Sequence, residues 1–367
     1  MLFSKPNTSS SVVYSLHSKM VTQIVPFVLL VLAQATPNAS WRLLTKTGFN
    51  ESSYSVRHLS MHYSRVFLSI SVKGNDSPTL IETQWQVSHF PMTTVIFPHR
   101  NIHANGAHSD CTLLQQAHWS QVDGLSRLWV MDIGWPDSRC PPRLFVFDLI
   151  RNNAELLRID CGQHIDFNDT QSLVVRFGPK AKSSKLERHI YFILGHGPHI
   201  LTYDILEQTW KSRSLKSHKY ESMQQSFPIK PIDFTFGLQG ELIVADKDGG
   251  IYRSLDSLQW EDSSELSSSS LKSHIQLTPL GTLLGNGRSM IMDSLGTLYY
   301  VIPKFGAVVR CVQLVNITAE GNEIIYMTSK NLQQIFFGNN GAVWVLSDRV
   351  LKTQQMCFPG MPYNDVF

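Results

Sequence analysis

"RLWVMDIGWPDSRCPPRLFVFDL", Arg127–Leu149, sets two runs of aliphatic, β-branched and aromatic residues on either side of Gly134-Trp135-Pro136 and Pro141-Pro142. Such residues suit a pleated, half-buried surface, whereas Gly and Pro interrupt it, so the stretch reads as two strands and a connection. Whether Arg-Leu-Trp-Val-Met-Asp is the edge of a reactive site or only scaffold depends on recurrence. Chemistry occurs once per site, and scaffolding repeats along the chain.

The pattern does repeat. "RVFLSISVKGNDSPTLIETQW" from Arg65, "HIYFILGHGPHILTYDIL" from His189, "GELIVADKDGGIYRSL" from Gly240, "GTLYYVIPKFGAVVRC" from Gly296 and "GAVWVLSDRVLK" from Gly341 follow the same plan of strand, turn and strand. Their starts lie roughly 45 to 62 residues apart, enough for four short strands with loops, which is the unit of a propeller blade. Helical periodicity is hard to find, so residues 36–367 read as one all-β domain, a six-bladed β-propeller whose blades bury their faces only by stacking on neighbours. Leu128, Trp129 and Val130 are then expected in the core. The serine-rich "WEDSSELSSSSLKS", Trp260 to Ser273, is expected as a loop in the fourth blade.

Of 367 residues, 43% are apolar and 17% charged, with a net charge of +3, so the chain is globular and no basic run provides for nucleic acid. Ahead of the repeats, "IVPFVLLVLAQA" follows Lys5, His17 and Lys19. It is shorter than the roughly 20 residues that a spanning helix needs and ends in Ala33-Gln34-Ala35, which reads as a signal peptide over residues 1–35, with Met20 as an alternative start. The mature protein is therefore expected to be secreted, with no stable membrane span. In that compartment Asn38, Asn50, Asn75, Asn168 and Asn316, each in an Asn-x-Ser/Thr triplet, are candidate glycosylation sites.

"DGLSRLWVMDIG", with "CPPRLFVFDL" after it, resembles the signature region of the insect yellow and major royal jelly protein family, and "RVFLSISVKGNDSPTL", "ILTYDILEQTWKSRSL", "GTLYYV" and "VWVLSDRV" fall in family order. The resemblance covers Trp41 to Lys352. It implies a secreted six-bladed propeller acting in the pigmentation or hardening of an extracellular matrix such as cuticle or eggshell, with matrix components as partners and a small catechol or biogenic amine as ligand in the central channel. A dopachrome-converting isomerase is the alternative activity, and a ligand-free structural or nutrient protein the second alternative. Gly124 stands where many members carry a cysteine, and Ser71-Val72 replaces a usual Pro-Arg.

The residues themselves offer little chemistry. Asp132-Ile133-Gly134 and Asp246-Lys247-Asp248-Gly249 follow strands and read as turn formers, the second lacking the carboxylate that would complete a calcium loop. His99, His103, His108 and His118 read as a solvated connection, because Pro98 and Gly106 exclude the helix that would converge them on a metal. His196 and His199, either side of Gly197-Pro198, are the candidates for facing a ligand or for acid-base work, since propeller loops converge on the central opening. No Gly-x-Ser-x-Gly, zinc-protease or phosphate-loop motif is present, and no cofactor is expected.

Among the cysteines, Cys111 and Cys140 bracket the first strand of the second blade and form a natural pair. A bond from Cys311 to Cys357 would hold the chain end onto the ring, as the resemblance also implies, leaving Cys161 odd. Cys140 with Cys161 is the rival pairing.

Overall fold

The computed structural model describes residues 40–42, 54–72, 78–85, 94–104, 110–134, 140–182, 184–195, 197–218, 226–258, 273–338, 341–347 and 350–353. The chain divides into compact units Met1–Ala39 and Ser40–Phe367, and every described residue belongs to the second. The expected signal peptide, with its alternative start Met20, and all of the serine-rich segment but Ser273 lie outside the described residues.

The described residues form strands in antiparallel meanders. β1 (Ser40–Arg42) stands apart from the first meander, which is β2 (Tyr54–His62), β3 (Arg65–Val72), β4 (Leu80–Gln84) and β5 (Thr94–Ile96). The next is β6 (Ala117–Val122), β7 (Arg127–Asp132), β8 (Arg143–Asp148) and β9 (Ala154–Asp160). A nine-stranded sheet follows, built of β10 (Val174–Phe177), β11 (His189–Ile193), β12 (His199–Asp204) and β13 (Thr209–His218), then β14 (Ser226–Pro228), then β15 (Pro231–Phe236), β16 (Glu241–Asp246), β17 (Gly250–Ser257) and β18 (His274–Thr282). The last two sheets are β19 (Arg288–Met292) to β20 (Leu298–Ile302), β21 (Ala307–Cys311) and β22 (Glu323–Met327), and β23 (Leu332–Phe337) to β24 (Val343–Ser347) and β25 (Val350–Thr353).

Two features bind these sheets into one body. β13 outruns its partner β12; the overhang pairs with β14 on one side and runs parallel to β18, from Ser214 opposite His274 to Ser217 opposite Leu277, on the other. An unpaired edge is thereby covered, and two meanders become one sheet. At the other end β1 adds antiparallel to β25, with Trp41 opposite Leu351, so the first and last described strands share a sheet.

The first strands of successive meanders touch in a closed cycle, β2 to β6, β10, β15, β19, β23 and back to β2. Sheets radiating from such a cycle make a β-propeller, in agreement with the expected all-β propeller. Apolar clusters fill the spaces between neighbouring sheets. One joins Trp119, Trp129 and Met131 to Phe177, Ile190 and Phe192, with Phe177 edge-on to Trp129 at 6.1 Å. Leu128, Trp129 and Val130 are fully buried, so the opening stretch is scaffold.

The turn leading into β7 shows how a short motif sets a strand. Asp123 accepts hydrogen bonds from the backbone N–H groups of Leu125 and Arg127 at 2.9 Å each and from the Trp129 indole at 2.9 Å. Asp293 repeats the device ahead of β20, accepting from Leu295 and Thr297 N–H at 2.9 and 2.8 Å and from the Tyr299 hydroxyl at 3.3 Å. One carboxylate thus closes the turn and fixes the rotamer of the first large core side chain.

Candidate functional site: the axial cluster

The strands around the axis are irregular. Except in β10, the ladder between each first strand and its neighbour slips, between Val56 and His58, Ala117 and Trp119, Pro231 and Asp233, Arg288 and Ile291, and Leu332 and Gln334. A bulge adds a residue that the alternation of faces does not govern and re-aims its side chain. Here the extra residues include Arg57, His118 and Gln333.

Polar side chains of these strands lace every seam of the cycle. Ser60 Oγ and Ser120 Oγ lie 2.8 Å apart between β2 and β6. His118 Nε2 donates to Leu173 O, just before β10, at 3.3 Å. Arg176 on β10 donates to Asp233 Oδ1 on β15 at 3.0 Å. Arg288 on β19 donates to Ile232 O at 2.8 Å, and Ile335 N–H on β23 donates to Ser289 Oγ at 2.9 Å. At the last seam the Gln334 amide imitates a strand. Its Oε1 accepts Leu59 N–H at 2.8 Å, and its Nε2 donates to Leu59 O at 3.1 Å.

That lacing leaves an unbalanced polar cluster. The first strands carry Arg57, Arg176 and Arg288 against one carboxylate, Asp233. Asp233 is buried beside Arg176, while Arg57 donates to Ser71 Oγ at 3.1 Å and has no carboxylate partner among the described residues. Burial, with the His118 and Arg176 charges adding to it, holds the His58 ring down at about 3; burial and Arg57 hold His118 at about 4. Both rings are therefore neutral near pH 7. Three atoms of the cluster, His118 Nδ1, Arg176 Nε and Gln333 Oε1, are shielded from solvent and make no hydrogen bond.

The residues singled out from sequence lie elsewhere. His199 is exposed at the start of β12, the third strand out from the axis, and His196 falls outside the described residues. His118 does not belong to a solvated connection as expected: it sits on β6 at the axis. His103 is buried and hydrogen-bonds Phe97 O through Nε2 at 2.8 Å, His99 is exposed, and His108 lies outside the described residues. Among the described residues no three His, Cys, Asp or Glu side chains come together to hold a metal ion, and no helix is long and apolar enough to cross a membrane. Asp246 closes its turn by accepting Asp248 and Gly250 N–H at 2.9 and 2.8 Å. Asp132 reaches further, accepting N–H groups of Gln115, Gln116 and Gly134 at 2.8, 2.7 and 3.0 Å and so pinning the chain that leads into β6.

Cys111 and Cys140 form a disulfide, and Cys161 and Cys311 are buried free thiols, so the rival Cys140–Cys161 pairing does not form. Cys357, the expected partner of Cys311, lies outside the described residues, as do Asn38, Asn50 and Asn75. Asn168 and Asn316 are both exposed.

Sequence reasoning missed Arg57, His58, Arg176 and Gln334 because none of them belongs to a recognisable motif. The one available signal was a strand pattern broken by charged or amide residues just ahead of each apolar repeat.

No protein-family model and no curated protein matches the chain. Among solved structures, a luciferin-regenerating enzyme is 10% identical with a TM-score of 0.51 and covers 89% of this chain and 98% of its own. Virginiamycin B lyase from Staphylococcus aureus is 9% identical, with a TM-score of 0.48 and coverage of 86% and 97%. YCF48 bound to D1 peptide is 12% identical, with a TM-score of 0.49 and coverage of 88% and 97%. At such identities likeness speaks to fold alone, and what the chain shares with the luciferin-regenerating enzyme is the β-propeller architecture over most of both chains.

Proposed function

We propose that the protein is a secreted six-bladed propeller of the yellow and major royal jelly type, acting in pigmentation or hardening of an extracellular matrix and binding a small ligand on its axis. The blade count rests on taking the nine-stranded sheet as two blades joined edge to edge, since β10–β13 and β15–β18 are separate antiparallel meanders, each with its own first strand in the axial cycle. The single observation that carries the ligand is the axial cluster, where His118 Nδ1, Arg176 Nε and Gln333 Oε1 are dehydrated yet unpaired. Leaving such groups unsatisfied costs about 1–3 kcal/mol each, a cost that a bound polar ligand would offset.

Secretion is supported by the Cys111–Cys140 disulfide, which persists in an oxidising compartment, and by the exposure of Asn168 and Asn316. Binding is favoured over the isomerase. Proton transfer near neutral pH wants a base of matching pKa, and the axial rings His58 and His118 are held at about 3 and about 4.

Expression in insect cells tests the proposal. The protein should be recovered from the medium carrying N-glycans on Asn168 and Asn316, and calorimetric titration with catechols should give saturable heat. Cytosolic retention without glycans would end the secreted reading, and no heat with any catechol at millimolar concentration would end the catechol ligand.

A further inference from the structure

We propose that the axial site recognises its ligand through an oxyanion, a carboxylate or phosphate group docked on the Arg57 guanidinium, rather than through an ammonium group. This rests on the reading of the axis as a ligand site and narrows the ligand. Arg57 is the extra residue of the β2 bulge, so its direction is set by the slip in the ladder rather than by packing between sheets. A guanidinium offers five N–H donors in a planar fork, and among the described residues Ser71 Oγ is the one acceptor that meets it. Elsewhere the protein pairs comparable arginines with carboxylates: Arg65 with Glu82 at 2.7 Å, Arg127 with Asp123 at 2.6 Å, Arg188 with Asp204 at 2.9 Å and Arg176 with Asp233 at 3.0 Å. Arg57, like Arg288, departs from that pattern, neither having a carboxylate partner among the described residues.

The surroundings sharpen the charge argument. The Arg57 charge acts on His118, His118 and Arg176 both act on His58, and these groups come from β2, β6 and β10, which are consecutive around the axis. Asp233, the one carboxylate of the first strands, is already taken by Arg176 and accepts Phe234 N–H at 2.6 Å. An ammonium ligand entering here would meet guanidinium charge and no free carboxylate of the first strands. A carboxylate or phosphate would meet a planar fork suited to two parallel hydrogen bonds.

The test uses matched catechols on the full secreted protein at low ionic strength: protocatechuate, its carboxamide, and dopamine, with inorganic phosphate as a separate arm. Protocatechuate or phosphate should bind, the two arms distinguishing a carboxylate from a phosphate ligand, and dopamine should bind at least about 10-fold more weakly than the better of them, the scale of one hydrogen bond to a charged group. Arg57→Gln should weaken that oxyanion by about 10-fold or more, and Arg57→Lys, which keeps the charge but loses the fork, should fall between. Should Arg57→Gln fail to fold, Arg57→Lys carries the comparison alone and must still weaken the oxyanion. Dopamine or the carboxamide binding as tightly as protocatechuate and phosphate, or an unchanged oxyanion affinity in the folded variants, would overturn the oxyanion while leaving an axial ligand in place. Silence from all four compounds would remove the axial ligand itself.

Discussion

β7 and β6 are hydrogen-bonded neighbours in one sheet, yet they are built on different terms. In β7 every residue from Leu128 to Asp132 is buried, and all but Asp132 are apolar. β6 reads Ala-His-Trp-Ser-Gln-Val, with Trp119 turned into the cluster between sheets while His118 and Ser120 make polar contacts toward neighbouring first strands. The same contrast separates β3 from β2 and β24 from β23. A second strand packs against neighbouring sheets on both faces and can be uniformly apolar. A first strand must also meet its counterparts edge to edge around the axis, where only hydrogen bonds and fitted charges can satisfy the groups brought together.

The comparison is broken most directly by truncating a second strand. Trp129→Ala should lose about 3–5 kcal/mol in urea or guanidinium unfolding, because the indole is fully buried among Trp119, Phe177 and Phe192. A loss below about 1 kcal/mol would mean that β7 is not the packing core assigned to it.

Acid should act on the first strands instead. An unfolded histidine titrates near 6.5, whereas in the fold burial and neighbouring cations hold His58 at about 3 and His118 at about 4. As pH falls below about 6.5 the unfolded chain takes up protons that the fold refuses, so stability is full above that pH and drains away as pH drops toward about 4. Each ring contributes at most about 1.4 kcal/mol per pH unit over that window. Comparing unfolding midpoints between pH 7 and 5 should show a shallower decline in His118→Gln than in the parent, and parallel declines would mean that His118 is not held neutral.

At the closing seam, Gln334→Ala should cost about 1–3 kcal/mol, since Leu59 N–H loses its acceptor and its carbonyl a donor. The deficit should also appear as faster amide exchange at Leu59, and unchanged exchange would show that this pair does not hold the seam. The smallest effect belongs to Arg57→Gln, expected to lie within about 0.5 kcal/mol of the parent or slightly above it, because it removes a cation that no carboxylate among the described residues balances. A clear destabilisation would reveal a structural role for Arg57.

The difference between first and second strands also explains which parts could be read from the chain. Arg65, Arg127, His189, Gly240, Gly296 and Gly341 each begin a second strand or precede it by one or two residues, the strands being β3, β7, β11, β16, β20 and β24. Reading the repeat therefore amounted to reading second strands, whose apolar density survives without knowledge of neighbours. The first strands give no such signal, which is why His118 reads as part of a connection from sequence although it lies on β6. The Cys111–Cys140 bond was legible because a strand between two cysteines suggests a short span. The tie between chain ends was expected from Cys311 and Cys357, whereas backbone pairing of β1 with β25 already makes one, and three residues with no distinctive pattern could not announce it.

What the sequence determined by itself is the all-β character, the recurring strand pair and the turns set by Asp123, Asp246 and Asp293, all local matters of side-chain shape and φ preference. Tertiary structure decided which solitary residues meet on the axis. Arg57, His118, Arg176 and Gln334 are spread over most of the chain, and their shared environment exists only once the first strands close into a cycle, bulges re-aim Arg57 and His118, and water is excluded from His118 Nδ1, Arg176 Nε and Gln333 Oε1.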